Sequence, residues 1–426
     1  MRAAPLAAVG GLALAALLVA VPAPTEPEPV TFSNQIVRIL QSQCQTCHRP
    51  GEVAPFPLVT YDDAYSRRQK IRRMTGTRKM PPWKPVAGFG DFLDSRRLSE
   101  VEIALIERWV AAGAPEGDRR DLPSPREFPR TWTLGPPDLV LDPGVDFPVT
   151  ARDDDLYRCF TIPTHFAEER WVTGVEVIPG NRRIVHHVLT YIDTTGESVA
   201  LDDADPGPGY SCFGGPGFVA QGGLGGWAPG ARPHVMPERV GMLLPPSARV
   251  VVQVHYHHRG RDTENDRTRL GLRFATGPID KRVRIIPIFN AGFLIPAGAA
   301  RHEVRASYTL PPTWNVHAIA ISPHMHLLGR EMKVTATSPD GRTRPLIYID
   351  DWDFHWQGSY TFAQPVPLSG GTRIDVTAVY DNSPANSRNP TNPPRPVGWG
   401  ENTTDEMCLA FLRVTVDAER LGYQPR

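Results

Sequence analysis

From Asp138 onward the chain is broken every few residues by Pro, Gly, Asn or Asp, and the segments between the breaks are short and apolar or β-branched. Such runs are Trp171 to Ile178, Ile184 to Ile192, Arg249 to Tyr256, Arg282 to Ile288, Val316 to Ile321, Met332 to Ala336, Arg373 to Tyr380 and Leu409 to Val416. Segments of this length with turn residues at both ends read as strands, and their uninterrupted succession predicts antiparallel sandwiches rather than an α/β fold. The totals of 45 Pro and 37 Gly serve the same architecture, because turns consume both. Residues 203–230 are Gly-rich and aperiodic and read as a long loop, a second sandwich is expected from about Gly277, and no short-period repeat is visible.

The segment ahead of these strands is different in kind. Residues 30–117 carry helical periodicity: an apolar stripe from Phe32 to Leu40, then a helix opened by Ser99 with Glu102 three residues later, bearing Ile103, Ile106, Trp109 and Val110 on one face and closed by Gly113. Residues 118–137 lie in a Pro- and charge-rich stretch that reads as a linker. With 426 residues, two or three domains are expected. Lys+Arg and Asp+Glu balance at 46 each, which gives nucleic acid or an anionic membrane no overall charge to hold.

Residues 1–23 combine Arg2, an apolar run from Gly11 to Ala20 and the small-residue sequence Val21-Pro22-Ala23, the pattern of an export signal. As an uncleaved membrane anchor the run is slightly short. Either reading sends the remainder out of the cytoplasm, to a periplasmic location in which disulfides persist. Of the five cysteines, Cys44 and Cys47 belong to a motif of their own, so Cys159, Cys212 and Cys408 allow at most one internal disulfide.

That motif is Cys44-Gln45-Thr46-Cys47-His48. Two thiols three residues apart can take both vinyl groups of a haem while the next imidazole ligates the iron, which is the c-type attachment signature. A zinc site would need a further Cys or His pair nearby, and none occurs before His165. Met80, in Lys79-Met80-Pro81-Pro82-Trp83, is the expected sixth ligand because two prolines stiffen its backbone; Met74 is its rival. Residues 30–117 in this respect resemble a small cytochrome c domain.

Histidines cluster further along. His324 and His326 are two apart in a strand-like run, so both face the same way, and His255 and His257 share a face for the same reason. His186 and His187 are adjacent, and for both to reach one metal their strand must twist, bulge or end. Imidazoles alone suit copper, zinc, iron or nickel; an added thioether favours copper.

His186-His187-Val188-Leu189, Val252-Gln253-Val254-His255-Tyr256, Pro323-His324-Met325-His326-Leu327-Leu328-Gly329 and Thr404-Asp405-Glu406-Met407-Cys408 resemble, in order and approximate spacing, the motifs of the type II copper monooxygenases. The resemblance implies two jelly-roll sandwiches, residues 138–276 and 277–426, after the small all-α domain. It implies one copper on His186, His187 and His255 that stores and passes an electron. A second copper, on His324, His326 and Met407, would be where oxygen meets the substrate C–H bond. His257 and His258 are not ligands in that family and are expected to support the site or lie at the surface, and Tyr256 is expected to be packing. Where peptide-hydroxylating members hold a substrate carboxylate with Arg and Tyr, this chain has Ser322 and Phe411, so a neutral or hydrophobic small molecule is expected. Cys159 and Cys212 are left able to pair, and Cys408 is expected to be unpaired.

The expectation is an exported monooxygenase whose own haem relays electrons from a periplasmic donor to the coppers. Two other classes use the same residues: a copper and haem electron carrier without hydroxylase activity, and a dehydrogenase that reduces its haem.

Overall fold

The computed structural model describes residues 28–128, 131–150, 156–229, 231–257, 261–354, 356–400 and 402–425. The export-signal segment 1–23 and His258 lie outside the described residues, as do parts of the linker. The chain is mostly β, with two antiparallel sheet regions after a short helical N-terminal region. Among the described residues no helix is long and apolar enough to cross a membrane.

The helical region consists of the consecutive pieces Phe32–Ile36, Val37–Ile39 and Leu40–Cys44, followed by α1 (Tyr61–Gly76) and α2 (Glu100–Ala111). Both α-helices begin on capping boxes, Thr60 with Asp63 and Ser99 with Glu102, which satisfy amide donors that the first turn leaves open. Their apolar faces and the Phe32–Leu40 stripe bury Ile36, Leu40, Ile106 and Trp109 in one small core.

The expected linker is not a free tether. Arg38 and Gln41 donate to the carbonyls of Asp121 and Ser124, Arg126 donates to that of Gln41, and Glu176 accepts from the amides of Thr133 and Leu134. Its polar backbone is therefore spent on both neighbours. The segment between the helices also departs from a self-contained helical domain: Phe92 is built into the core of the second sheet region, Leu93 N–H donates to Thr361, and Lys84 pairs with Asp351 at 3.0 Å.

In the first sheet region the long strands are β1 (Leu156–Pro163), β2 (Arg170–Ile178), β3 (Val185–Asp193), β4 (Val240–Leu244), β5 (Arg249–Tyr256) and β6 (Arg269–Phe274). One sheet carries β6-β2-β4 and the other β1-β5-β3, each with short strands at its edges, and the two share the core of Val172, Val188, Leu244, Val252, Val254 and Leu270. In the second region β7 (Arg284–Asn290), β14 (Cys408–Val416), β9 (Val316–His324) and β12 (Tyr360–Leu368) form one sheet in that order. The facing sheet runs β8 (His302–Thr309), β13 (Arg373–Tyr380), β10 (Gly329–Thr337) and β11 (Thr343–Ile349). Alternate residues from both sheets fill the core between them, which is why the apolar runs recur with a period of two.

The expected long loop at residues 203–230 begins inside a helix, Glu197–Ala204, and contains the short strands Tyr210–Ser211 and Gly226–Trp227. Asp193 closes the turn before that helix. Its carboxylate accepts from the amides of Thr195, Gly196 and Ser198 and from both hydroxyls, with distances from 2.6 to 3.0 Å. Burial acts to raise its pKa, but the hydrogen bonds from Ser198 and Thr195 outweigh it and hold the carboxyl well below the reference 3.8. A depressed carboxyl contributes stability that is complete above its unfolded value and drains away as pH falls below it. Asp193→Asn should therefore lower stability at pH 7 by roughly 1.5–3 kcal/mol and flatten the loss below about pH 4. Urea unfolding at pH 7, 4 and 3 checks this, and an unchanged acid slope would rule it out.

Candidate metal centres

The first centre is made by a defect in a strand. Along β3 and β5 the pairing runs Val185 with Tyr256, then His187 with His255, so the register slips and His186 is the extra residue. A bulge of this kind turns two adjacent side chains toward the same side. His255 reaches the same point from across the ladder. The three Nδ1 atoms form a nearly equilateral triangle, 3.2 Å between His186 and His187, 3.1 Å between His186 and His255 and 3.2 Å between His187 and His255. Three nitrogens this close cannot all be joined by N–H···N bonds, since each neutral imidazole has one proton to place.

A cation resolves the crowding. With sides of 3.1 to 3.2 Å the triangle's centre lies about 1.8 Å from each nitrogen, and a small rise out of the plane gives the roughly 2.0 Å of an imidazole–metal bond. Among the described residues this is the one group of three His, Cys, Asp or Glu side chains so assembled. Tyr157 stacks on His255 at 4.2 Å between ring centroids with 3° between planes, fixing that ring. His257 lies at 6.1 Å from His186 by ring centroids, and Tyr256 is buried with its hydroxyl donating to Asp266 at 2.9 Å.

His324 ends β9 and His326 follows it, their rings 5.0 Å apart and nearly perpendicular. His324 Nδ1 donates to Gln357 Oε1 at 2.5 Å and His326 Nδ1 to the Asp405 carbonyl at 3.1 Å, which puts the ring proton of each on Nδ1. Burial pushes the pKa of His324 down to about 4, with His326 adding to the effect, and burial also lowers that of His326. Both rings are therefore neutral at physiological pH, the form that binds metals. Met325, between them, points into the core beneath Gly329, where a Cβ would strike Trp352 at 2.7 Å and Met325 at 2.9 Å.

Glu406 ties the backbone at Met407 to the turn that bears His326. The Glu406 carboxyl is fully buried and accepts from the amides of His326 at 2.9 Å, Leu328 at 2.6 Å and Met407 at 3.3 Å. Desolvation raises its pKa to about 8 against the pull of those amides. Tyr380 clamps the other side, its hydroxyl donating to the Met407 carbonyl at 2.7 Å. Neither Glu406 nor Gln357 was expected from the sequence. An acidic residue directly before the apolar run Met407–Leu412 was the available signal for Glu406.

At the other end of the chain, Cys44 and Cys47 are free thiols joined by a turn in which the amides of Cys47 and His48 both donate to the Cys44 carbonyl. His48 Nδ1 donates to the Phe56 carbonyl at 3.0 Å, which assigns the ring proton to Nδ1. Burial pushes Cys44 up to about 12 and raises Cys47 as well, so neither is the ready thiolate of a redox dithiol. Met80 is 39% exposed and borders a small cavity with Trp83, Leu98 and Ile103, while the Met74 carbonyl accepts from the amides of Lys79 and Met80.

This region abuts both sheet regions. Arg96, whose charge acts on Cys47, lies 5.4 Å from the Trp356 ring and donates to the Pro229 carbonyl at 3.3 Å; Trp356 precedes the Gln357 that holds His324. Arg182 reaches Glu52 at 3.7 Å and the Trp227 ring at 6.0 Å, and Trp227 pairs with Val188, the residue after His187.

A β framework that gathers three imidazoles through a strand bulge, with a second histidine pair in the neighbouring sheet region, is that of a candidate metal-binding protein. Residues 297–415 match the family described as copper type II ascorbate-dependent monooxygenase, C-terminal domain. DBH-like monooxygenase protein 1 of Gallus gallus is 24% identical over 294 residues, 63% of this chain and 45% of that protein. Its Homo sapiens counterpart is 25% identical over 296 residues, with the same coverage. The matches make the chain similar to the DBH-like copper monooxygenases, over residues 297–415 for the family and over about three fifths of the chain for the relatives. The match spans less than half the length of those relatives. The Cys159–Cys212 disulfide, with this kinship, is that of an exported protein.

Proposed function

We propose that the protein is a periplasmic copper monooxygenase that hydroxylates a C–H bond of a small substrate with oxygen, drawing electrons from a periplasmic donor through its own c-type haem. The observation that carries the reading is the Nδ1 triangle of His186, His187 and His255, together with the family match of the second sheet region. His324, His326 and Met407 are the second copper's ligands in this reading, and the two sheet regions are its jelly-roll sandwiches, residues 138–276 and 277–426. Copper at the two centres would supply one-electron chemistry with oxygen.

The chain's residues do the rest. Gln357 and the Asp405 carbonyl fix which nitrogen each histidine offers, Glu406 and Tyr380 fix the backbone at Met407, and Tyr157 holds His255. The haem is assigned to Cys44, Cys47 and His48 with Met80 as the sixth ligand. Support comes from the His48 proton held on Nδ1 by Phe56, which leaves Nε2 as the nitrogen without it, and from the contacts of Arg96 with Trp356 and of Arg182 with Trp227, next in sequence or pairing to residues of the histidine centres.

Metal content of the exported protein tests the proposal. One haem and two coppers per chain are expected, with His187→Ala and Met407→Ala each losing about one copper equivalent while keeping the haem. Zinc in place of copper, or haem without stoichiometric copper, would sink it. Substrate-dependent oxygen uptake separates it from an electron carrier, which shows none, and from a dehydrogenase, which reduces its haem without oxygen.

A further inference from the structure

One charge in the second sheet region has no counterpart. Arg413 lies on β14, paired with Ile285 on β7 and Ala320 on β9, and is mostly buried. Among the described residues its guanidinium makes no hydrogen bond and no ion pair. Desolvation lowers its pKa with no carboxylate opposing it. Five donors and a full charge largely shielded from water without a protein acceptor are costly, and an anion that completes them relieves that cost. The side chain lies toward the glycine loop of the first sheet region, where a Cβ on Gly225 would meet its Nη2 at 3.4 Å.

The surroundings are those of a binding face. Ala410, Leu412 and Val414 enter the core, so Phe411 and Arg413 stand on the opposite face of the sheet. On β7 the matching positions Ile285 and Phe289 are 43% and 52% exposed, and Phe411 is 37% exposed. The same face carries Ser322 opposite Phe411 and His324 opposite Leu409. The row of His324 is four residues from that of Arg413, about 13 Å along the strand.

We propose that Arg413 binds the carboxylate of an amphipathic acid whose apolar body lies over Phe411 and whose oxidised carbon reaches toward His324. The proposal rests on the monooxygenase reading and narrows it: the substrate keeps the hydrophobic body expected from the sequence, and the neutral end gives way to an acidic one. Arg413 replaces, from a different position on the sheet, the cation that Ser322 does not supply.

The test is calorimetric titration of the full-length protein, copper-free and copper-loaded, with 5-phenylvalerate and its uncharged amide. Wild type should bind the acid at least roughly tenfold more tightly than the amide, as expected for charge-assisted hydrogen bonds. Arg413→Gln should bring the two ligands level, and Arg413→Lys should keep part of the preference. Should Arg413→Gln fail to fold, Ile285→Asp offers the guanidinium a carboxylate across the strand pair at an exposed position and should abolish the preference with Arg413 in place. Equal binding of acid and amide by wild type, binding of neither, or a preference that survives Arg413→Gln or Ile285→Asp overturns the assignment. Preferential binding without oxygen uptake would instead sink the monooxygenase reading alone.

Discussion

Glu406→Ala should cost about 3–5 kcal/mol of stability and remove copper from the His324 centre, while leaving the His186 centre loaded. The carboxyl is the common acceptor for amides of His326, Leu328 and Met407, groups about 80 residues apart that have no water to turn to. Truncation strands three buried donors, each worth about 1–3 kcal/mol when unsatisfied. It also frees the strand bearing Met407 from the turn bearing His326. Glu406→Gln keeps one acceptor oxygen and should lose roughly half as much. Urea unfolding and copper counting check both variants, and an Ala variant within about 1 kcal/mol of wild type with two coppers would refute the clasp.

Opening the Cys159–Cys212 bond should have an effect of similar size. The bridge spans 53 residues of sequence, and closing a loop of that length removes about 4 kcal/mol of unfolded-state entropy in the chain-entropy account. It also ties the loop strand to the sheet that carries the first centre. Cys159 pairs with Gln253, whose amide donates to the Cys212 carbonyl at 2.7 Å, and Tyr157, two residues earlier, is the ring stacked on His255. Cys159→Ser should therefore lower the urea midpoint and weaken copper at the triangle. Cys408→Ser, at a buried free thiol, should leave the triangle untouched. Equal midpoints for wild type and Cys159→Ser would contradict this account.

Much of the framework was legible along the chain. Strands at the centre of a sheet, such as Arg249–Tyr256 and Arg373–Tyr380, stand out because one or both faces must be apolar. His302–Thr309 did not, since at this sheet edge the inward side of the alternation offers only Val304 and the small Ala306 between Glu303, Arg305 and Ser307. Leu156–Pro163 was missed for a related reason: Arg158 sits mid-strand, and only the fold supplies its bidentate partner Asp205, at 2.7 and 2.8 Å. Residues 118–137 were read from composition as a linker, and their hydrogen bonds to remote carbonyls leave no periodic trace along the chain.

The sequence by itself determined what nearest neighbours decide. Period-two runs and turn residues set the strands, the Cys44 to His48 spacing set a two-thiol and imidazole motif, and His186 with His187 demanded a break in strand regularity. Only the tertiary structure decided what those residues meet. His255 joins the triangle through a cross-strand register 68 residues away, Glu406 gains its role by being buried beneath His326, and Arg413 is an ordinary strand arginine until a glycine loop from the other sheet region encloses it. The physical reason is that propensity and spacing are local, whereas burial, register and the cost of an unpaired charge belong to contacts that exist only once distant segments have packed.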